Sequence, residues 1–367
     1  MSRAQAPAPG LPALRVLSRP PGARGRGRIA LFMRIAVDAM GGDRAPGTIV
    51  DGAVMAARSL GLGVLLVGPG DVLRRELERH SGLGALDVAI LDAPDFIEMD
   101  ASPAAGLRRK PRASIKLGAE AVARGEASAL FSAGNTGATV LAAHAAWGMV
   151  RGVDRPALAT TVPTRARPAV LLDAGANVEC RPQHLVQFAV MGSVYARLAL
   201  GVDQPRVGLL STGEEASKGN ELTREAHKLL KATTVNFVGN VEARDVFLGQ
   251  ADVIVCDGFT GNIALKISEG LVELVEVLLR EELSTTFSTR VGYLLSRRSF
   301  RRFHKRVDSS EYGGAPLLGV AGICVVGHGR SSAKAVRNAV ASAHRFATHN
   351  LIERIEGELT AIAAPHA

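Results

Sequence analysis

The chain of 367 residues contains 47% apolar residues and 40 glycines, a globular composition that suits one large α/β domain or two smaller ones. Its net charge of +9 does not indicate nucleic-acid binding, because six of the 44 basic residues lie in residues 1–32, which contain no acidic residue. The sequence contains no run of 18 apolar residues, so no transmembrane helix is predicted. Three distant cysteines without a CxxC motif favour buried thiols in a reducing compartment.

Residues 1–32 combine their six arginines with five prolines and four glycines, and they lack the apolar core of a signal peptide. We predict that they form a disordered basic extension, or that the start was assigned too early and Met33 is the first residue. Residues 33–367 contain no long internal linker and are predicted to form a single α/β domain.

Residues 34–47, RIAVDAMGGDRAPG, predict a strand, a glycine loop and a helix start. Pro46 stands in the first turn of a helix that extends to about Leu60. A glycine loop between a strand and a helix presents backbone N–H groups to an anion. Asp38 and Asp43 are expected to hold the loop's shape or to bind a neighbouring cation or hydroxyl. An ordinary β–α turn is the alternative interpretation.

The same unit of apolar strand, glycine loop and helix then recurs along the chain. Further strands are predicted at Val64–Val67, Val88–Leu91, Ala129–Ser132, Ala169–Leu172, Val207–Leu210, Val235–Val238, Val253–Cys256 and Ile323–Val326. Further helices are predicted at Asp71–His80, through Val150, at Leu222–Lys231, to about Leu283 and at Ala333–Thr348. Alternation of strands and helices predicts a mostly parallel sheet covered on both faces. Residues 283–314 are the least regular stretch.

Ligands of such sheets bind beyond the carboxyl ends of the strands. Small polar residues are predicted there: Ser132, Asn135, Thr136, Asn177, Ser211, Thr212, Asn220, Thr260 and Asn262. Few of them are acids, bases or nucleophiles, so the site suits a substrate that brings its own nucleophile, such as inorganic phosphate. The chain lacks GxxxxGK[ST], HExxH, GxSxG, a GxGxxG that opens a βαβ unit and any metal-ligand spacing, so no cofactor and no metal are predicted.

Lys218 is the best candidate for a cation beside the phosphate, because it precedes a helix start beyond a strand end. A solvated surface lysine is the alternative. Asn262 stands at a helix start, where it would act in the site, cap the helix, or do both. His328, between two glycines, is either an acid–base group or a loop histidine. The acidic neighbours of Lys218 would orient it or cap the helix: Glu214, Glu215 and Glu221.

Cys180 and Cys256 have no neighbouring histidine or lysine and are interpreted as core residues. Residues 263–306 mix apolar side chains with a basic cluster, residues 290–306, that has seven Arg or Lys and no acidic residue. This mixture suits an anionic bilayer surface. An acidic protein, or a second copy of the chain against which the helices pack, is the alternative partner.

Eight sequence blocks, in order, resemble one family: RIAVDAMGGDRAP, SAGNTGA, LLDAGANVE, HLVQFAVMGSVYA, VGLLSTGEEASKGNEL, NFVGNVEARD, DGFTGNIALK and YGGAPLLG. From Met33 to the C-terminal helix the chain is similar to the acyl-carrier-protein:phosphate acyltransferases of bacterial phospholipid synthesis. The resemblance implies a three-layer α/β/α sandwich with a Rossmann-like sheet, as in phosphate acetyltransferases and isocitrate-type dehydrogenases. It also implies transfer of a fatty acyl group from acyl-carrier protein to inorganic phosphate, giving acyl phosphate.

The resemblance places the catalytic lysine and asparagine at Lys218 and Asn262. We treat the glycine-loop residues and their neighbours as substrate- or phosphate-binding positions: Asp38, Gly41, Gly42, Asp43, Asn135, Thr136, Gly137, Asp173, Asn177, Gly261 and His328. The implied partners are acyl-carrier protein, inorganic phosphate, a membrane glycerol-3-phosphate acyltransferase, a second copy of the chain and an anionic membrane surface, with no nucleic acid. The implied location is the cytoplasmic face of the membrane, approached through residues 266–312, an amphipathic and basic helical segment that interrupts the domain.

The sequence departs from the family at residues 1–32, which have no counterpart, and at Arg44, where the family usually has histidine. Arginine at position 44 argues against an acid–base role for that residue and remains compatible with phosphate binding by the loop. Three other functions remain as alternatives: a coenzyme A-dependent phosphate acetyltransferase, a dehydrogenase of the isocitrate type, and a membrane-surface scaffold without activity. The lack of clustered aspartates argues against the dehydrogenase.

Overall fold

The computed structural model describes residues 33–307 and 313–363, so the predictions for residues 1–32 lie outside the described residues. The strands are β1 (Arg34–Asp38), β2 (Gly63–Gly68), β3 (Val88–Asp92), β4 (Ala129–Ser132), β5 (Ala157–Leu158), β6 (Thr160–Val162), β7 (Ala169–Leu172), β8 (Val207–Ser211), β9 (Phe237–Glu242), β10 (Val253–Val255), β11 (Ala315–Leu318) and β12 (Cys324–Val326).

The helices are α1 (Gly47–Leu60), α2 (Gly70–Leu77), α3 (Pro103–Arg109), α4 (Ser114–Ala123), α5 (Thr136–Trp147), α6 (Pro182–Leu200), α7 (Glu221–Lys231), α8 (Gly258–Ser284), α9 (Phe287–Val307), α10 (Ala333–Thr348) and α11 (Leu351–Ala363). None of these described helices is both long enough and apolar enough to cross a membrane.

The strands form two sheets that meet at residues 157–162. The first has the order β3-β2-β1-β4-β12-β11-β5, and the second has the order β6-β7-β10-β8-β9. All pairs are parallel except β11 with β12 and β5, and β6 with β7. Backbone hydrogen bonds connect this junction to both sheets, because Ala159 N–H donates to the Pro316 carbonyl at 3.0 Å and Ala174 N–H donates to the Leu158 carbonyl at 2.8 Å.

Helices cover both faces of the first sheet. Successive side chains of β1 point to opposite faces, and the apolar residues on each face are buried by helices. Ile35 and Val37 pack into the cluster that includes residues of α1 and α10, whereas Ala36 packs into the cluster that includes residues of α4 and α5. The first of these clusters continues onto the second sheet and α6, so one core runs through both halves. The predicted α/β/α fold class with mostly parallel strands is confirmed.

Several predicted boundaries and elements are wrong. The strand predicted at Val235–Val238 is Phe237–Glu242, so part of the predicted GNVEARD loop is strand. The helix predicted through Val150 ends at Trp147, before Gly148 with φ +72°. The stretch that interrupts the strand–helix alternation contains α9, which lies within the helical segment expected for residues 266–312. Sequence analysis also did not assign α3, α4, α6, α11 or three short strands, β5, β6 and β11.

Candidate active site

The loops that follow β1, β4 and β12 lie side by side at the carboxyl edge of the first sheet. Asp38 and Val326 are both register partners of Ser132, so all three strands end at the same level. The Ser132 hydroxyl donates to Asp38 Oδ2 at 2.8 Å, and the N–H of Asp43 donates to the Gly329 carbonyl at 2.9 Å. Three loops that are distant in sequence are therefore joined by direct hydrogen bonds.

Asp38 is buried, and its carboxylate holds the loop backbone rather than facing solvent. Burial raises the pKa of Asp38, and hydrogen bonds from Ser114, Ser132 and the Met40 N–H partly oppose that shift. Gly41 lies so close to the next loop that a Cβ there would be 2.6 Å from the Gly134 nitrogen. Gly42 has a φ of +114°, a conformation that favours glycine, while Asp43 is exposed.

The predicted phosphate-binding residue Asn135 has its side-chain amide engaged within the protein. Its Oδ1 accepts the N–H of Ala138 at 3.0 Å and caps α5. Its Nδ2 donates to three carbonyls of the preceding segment, those of Glu98, Met99 and Ala101, at 3.3, 3.1 and 2.9 Å. Asn135 thus anchors that segment to α5. The next two residues of the motif begin α5. Thr136 is exposed, and a Cβ on Gly137 would lie 2.6 Å from Pro103 Cγ.

In the second sheet, Asp173 follows β7 and organises the loop of residues 173–177. Its Oδ1 accepts N–H groups from Leu158, Gly175 and Ala176, each at 3.0 Å. Its Oδ2 accepts the backbone N–H and the side-chain Nδ2 of Asn177, both at 2.8 Å. Burial raises the pKa of Asp173, and the hydrogen bonds from Ala176, Leu158, the Asn177 side chain and Gly175 oppose that shift. Asp173 and Asn177 are therefore buried groups that shape the loop.

Helix α8 begins directly against the 173–177 loop. The N–H of Gly258 donates to the Asn177 carbonyl at 2.8 Å, and a Cβ on Gly261 would lie 1.9 Å from the Asp173 carbonyl oxygen. The cap of α8 is Asp257, whose Oδ1 accepts the Thr260 N–H at 2.8 Å. The predicted capping role of Asn262 is therefore wrong, because Asn262 lies more than one turn inside the helix.

Asn262 is exposed beside the same loop. A Cβ on Gly175 would lie 3.4 Å from Asn262 Oδ1. Within residues 33–307 and 313–363, no hydrogen bond engages the side-chain amide of Asn262. Its donor and acceptor are therefore available to a ligand at this edge of the sheet.

Lys218 lies in the loop of residues 212–220, here called the Lys218 loop, between β8 and α7. The residue is exposed, and its ammonium forms no ion pair with any described residue. The three glutamates that were expected to orient it do not pair with it: Glu214, Glu215 and Glu221. Asn220 caps α7 by accepting the Thr223 N–H at 2.9 Å. Strands β7 and β8 flank β10 in the sheet, so the 173–177 loop and the Lys218 loop flank the strand from which α8 emerges.

His328 joins the first sheet to α8. Its Nδ1 accepts the Arg330 N–H at 3.2 Å, and its Nε2 lies 3.4 Å from Lys266 Nζ on α8. The Arg330 guanidinium also pairs with Glu273 of α8 at 3.3 Å. The predicted site residues thus form two groups, one at the carboxyl edge of each sheet, and α8 and the loop after β12 connect them.

The cysteines are poor nucleophiles. Burial raises the pKa of Cys180 to about 11 and that of Cys324 to about 12, and it also raises the pKa of Cys256. Cys256 is in the core, as predicted, and Cys180 is partly buried. In the described part of the chain, no group of three His, Cys, Asp or Glu residues is arranged to hold a metal ion.

Two buried residues that the sequence analysis passed over contact each other beneath the Lys218 loop, His227 on α7 and Asn240 on β9. The signal for Asn240 is its polar side chain within the strand sequence FVGNVE. His227 gave no comparable signal, because α7 is rich in polar residues.

Comparison with known proteins places these features in a family. A family model described as "Fatty acid synthesis protein" matches residues 33–354. The phosphate acyltransferase of Geobacter sulfurreducens is 49% identical over 333 residues, covering 90% of this chain and 96% of that protein. The phosphate acyltransferase of Acidobacterium capsulatum is 49% identical and covers 91% of this chain and 99% of that protein.

Solved structures agree on the fold. A phosphotransacetylase from Streptococcus pyogenes superposes with a TM-score of 0.58 at 18% identity, covering 86% of this chain and 94% of that chain. A branched-chain phosphotransacylase from Enterococcus faecalis gives a TM-score of 0.54 at 13% identity, with 86% and 99% coverage. The family match and the half-identical relatives confirm the resemblance drawn from the eight sequence blocks, and the chain belongs to the phosphate acyltransferase family of acyltransferase enzymes.

Proposed function

We propose that the protein transfers a fatty acyl group from acyl-carrier protein to inorganic phosphate, giving acyl phosphate and free carrier protein. The observation that carries this proposal is that an ammonium and an amide without polar partners among the described residues lie at the same edge of the second sheet. Lys218 and Asn262 follow adjacent parallel strands, and both are exposed at the carboxyl edge of the second sheet.

In the proposed reaction, a phosphate oxygen attacks the thioester carbonyl carbon and forms the new C–O bond. The C–S bond then breaks, and the carrier thiolate leaves and takes up a proton from solvent. Lys218 offsets the negative charge of the phosphate as it approaches. The Asn262 side-chain N–H stabilises the developing oxyanion, and losing one such donor costs about 2.7–4 kcal/mol of barrier.

No covalent acyl-enzyme enters this mechanism. The phosphate is already an anion at neutral pH and serves as the nucleophile itself. The raised pKa of Cys180, about 11, keeps that thiol protonated under the same conditions, and a protonated thiol is a weak nucleophile. The buried carboxylates Asp38 and Asp173 shape the two loops instead of reacting.

We further propose that the enzyme works at the cytoplasmic face of the membrane as a dimer and passes acyl phosphate to a membrane glycerol-3-phosphate acyltransferase. The supporting feature is the helix pair α8–α9. Only two residues of α8, Gly258 and Gly261, are buried, and the apolar side chains of Phe287 and Leu295 on α9 are 85% and 80% exposed. Apolar side chains beside arginines suit an anionic bilayer surface.

The test is phosphate-dependent release of free carrier-protein thiol, with acyl phosphate trapped by hydroxylamine. We expect Lys218→Ala to lower kcat by about 10²–10³-fold while the protein stays folded, because the ammonium acts where charge accumulates. Lys231→Ala, which removes an exposed lysine at the far end of α7, is the matched control. A fully active Lys218→Ala enzyme would remove Lys218 from the mechanism. Faster turnover of acetyl-coenzyme A than of acyl-carrier protein would favour the phosphate acetyltransferase alternative.

A further inference from the structure

One side chain ties the middle of the Lys218 loop to the edge of the second sheet. Asn240 Nδ2 donates to the Glu215 carbonyl at 2.9 Å, and the same carbonyl accepts the backbone N–H of Lys218 at 3.0 Å. Among the described residues, no other side chain outside residues 212–217 forms a hydrogen bond to that stretch. Asn240 therefore fixes the position of the turn from which the Lys218 side chain extends.

His227 fixes Asn240 in turn. Its Nδ1 lies 2.9 Å from Asn240 Oδ1. Because Nδ2 of Asn240 must donate to a carbonyl, Oδ1 faces the imidazole, and His227 Nδ1 is the donor. The imidazole packs edge-on against Phe237 with ring centroids 5.1 Å apart, so its orientation is set as well.

Both partners are buried, with 6% of His227 and 9% of Asn240 exposed. Burying polar groups costs free energy that apolar residues would not require, and the cost is offset only when every hydrogen bond is made. Here the chain of bonds ends on the loop that carries Lys218. The buried pair is bonded to the Lys218 loop through the Glu215 carbonyl, which indicates that the pair positions this loop.

We propose that Asn240 and His227 are positioning residues that hold the Lys218 ammonium in place for the phosphate. This inference rests on the proposed function. Neither residue touches a reacting group, so their effect passes through the Glu215 carbonyl and the Lys218 backbone. The stem of Lys218 lies against Gly213, where a Cβ would be 2.8 Å from Lys218 Cγ.

The first test substitutes Asn240 and measures kcat and KM separately. Asn240→Asp keeps the acceptor for His227 but sets a carboxylate oxygen against the Glu215 carbonyl. We expect this variant and Asn240→Ala to lower kcat by about 10–100-fold, with KM for acyl-carrier protein unchanged, since small misplacements of catalytic groups have effects of that size. Asn236→Ala is the matched control, because Asn236 is exposed and bonds the Gln204 carbonyl, away from the loop. Wild-type kcat in both Asn240 variants would overturn the proposal.

A double-mutant cycle separates positioning from general stability. In a Lys218→Ala background, adding Asn240→Ala is expected to change the residual kcat by less than about twofold, because the residue acts through Lys218. Two losses that multiply would mean an independent structural effect and would contradict the proposal. Failure of the proposed function is seen separately, as wild-type enzyme without acyl phosphate formation or as full activity in Lys218→Ala alone.

Should the Asn240 variants fail to fold, substitutions at His227 test the same chain of bonds. His227→Asn places an amide N–H near the position of Nδ1, whereas His227→Leu removes the donor. We expect His227→Asn to retain most of kcat and His227→Leu to lose it, with faster hydrogen exchange confined to residues 212–219. Equal activity and equal exchange in the two variants would overturn the inference.

Discussion

At the start of α8, two glycines allow the helix to touch the backbone of the 173–177 loop without an intervening side chain. Gly258 lies where a Cβ would be 2.5 Å from the Asn177 carbonyl, and the space at Gly261 is smaller still. Backbone atoms at this contact have no freedom to move aside as a flexible side chain would. The position of Asn262 relative to Gly175 depends on this contact.

We expect Gly261→Ala to destabilise the protein by about 1–3 kcal/mol, as overpacked sites do, and to lower activity by displacing Asn262. Urea unfolding measures the first effect, and thiol release from the carrier measures the second. Gly270→Ala is the control on the same helix, since among the described residues no atom beyond its own stretch of α8 lies within 4 Å of a Cβ built there. Relief of glycine's entropy should stabilise that variant by about 0.5–1 kcal/mol. Equal unfolding midpoints for the two variants would contradict this account.

Thiol chemistry offers a second test at the level of single residues. Because the pKa of Cys180 is raised to about 11 by burial, its reaction with iodoacetamide should be slow at pH 7–8 and should accelerate as pH approaches that value. In urea, all three cysteines should react at ordinary thiol rates. Cys180→Ser should keep wild-type turnover. Rapid loss of activity by alkylation at Cys180 at neutral pH would argue for a thiol in the mechanism.

Among the elements, the strands of the second sheet are held together at the edge opposite the site. Asp252 precedes β10, and its carboxylate accepts Arg167 Nε at 2.9 Å and Arg206 Nε at 3.0 Å. These arginines precede β7 and β8. Burial alone would raise the pKa of Asp252, but the bonds from Arg206 and Arg167 outweigh it and lower the pKa below 3.8. The network therefore binds three strands at their amino ends.

We expect Asp252→Asn to lower the free energy of unfolding by about 1–3 kcal/mol at pH 7. A carboxylate with a lowered pKa in the folded state stabilises the fold above the unfolded-state value of 3.8, and this contribution is lost as pH falls below it. The stability difference between the wild-type protein and Asp252→Asn should thus shrink below about pH 4. Urea titrations from pH 3 to pH 8 measure it, with exposed Asp203→Asn as the control. A difference that does not change with pH would contradict the assigned role.

The sequence allowed prediction of elements whose formation depends on local pattern. Apolar runs such as residues 64–67 form strands at the predicted places, and the Asn135 and Lys218 loops lie at carboxyl ends of strands. The short strands β5 and β6 depend on pairing with residues about 160 positions and 10 positions away, respectively, which no local pattern reveals. The capping role considered for Asn262 does not hold, because Asp257 also suits that role in sequence and stands at the start of α8. Asn240 was missed because its partners come from α7 and the Lys218 loop.

At the scale of the whole molecule, α8 and α9 carry a large share of the exposed apolar side chains. Leu294 and Leu295 are 66% and 80% exposed, and α9 also contains five arginines from Arg290 to Arg302. Exposed apolar groups of this extent mark an interaction surface. Either a membrane or a second copy of the chain could cover this surface, and vesicle binding and dimer formation can be measured separately.

We expect the wild-type protein to sediment with anionic vesicles, with binding that weakens as salt is added. The double variant Leu294→Ser and Leu295→Ser should bind about tenfold or more weakly, because each leucine loses apolar area that lipid would bury. Leu248→Ser, at an exposed site next to Gly249, whose carbonyl bonds Arg206 at the opposite edge of the second sheet, should bind as the wild type does. Unchanged vesicle binding together with loss of the dimer in sedimentation velocity would assign the surface to the second copy instead.

The contact between the α8 glycines and the 173–177 loop also has a mechanical consequence. Because Gly258 and Gly261 lie directly against the backbone of that loop, a load on α8 is transmitted to the residues around Asn262, the group proposed above to stabilise the oxyanion. A force applied to α8 beyond Glu273, whether from lipid or from another subunit, therefore reaches the 173–177 loop through direct backbone contacts. Docking of α8 and α9 onto a surface would then be coupled to catalytic activity.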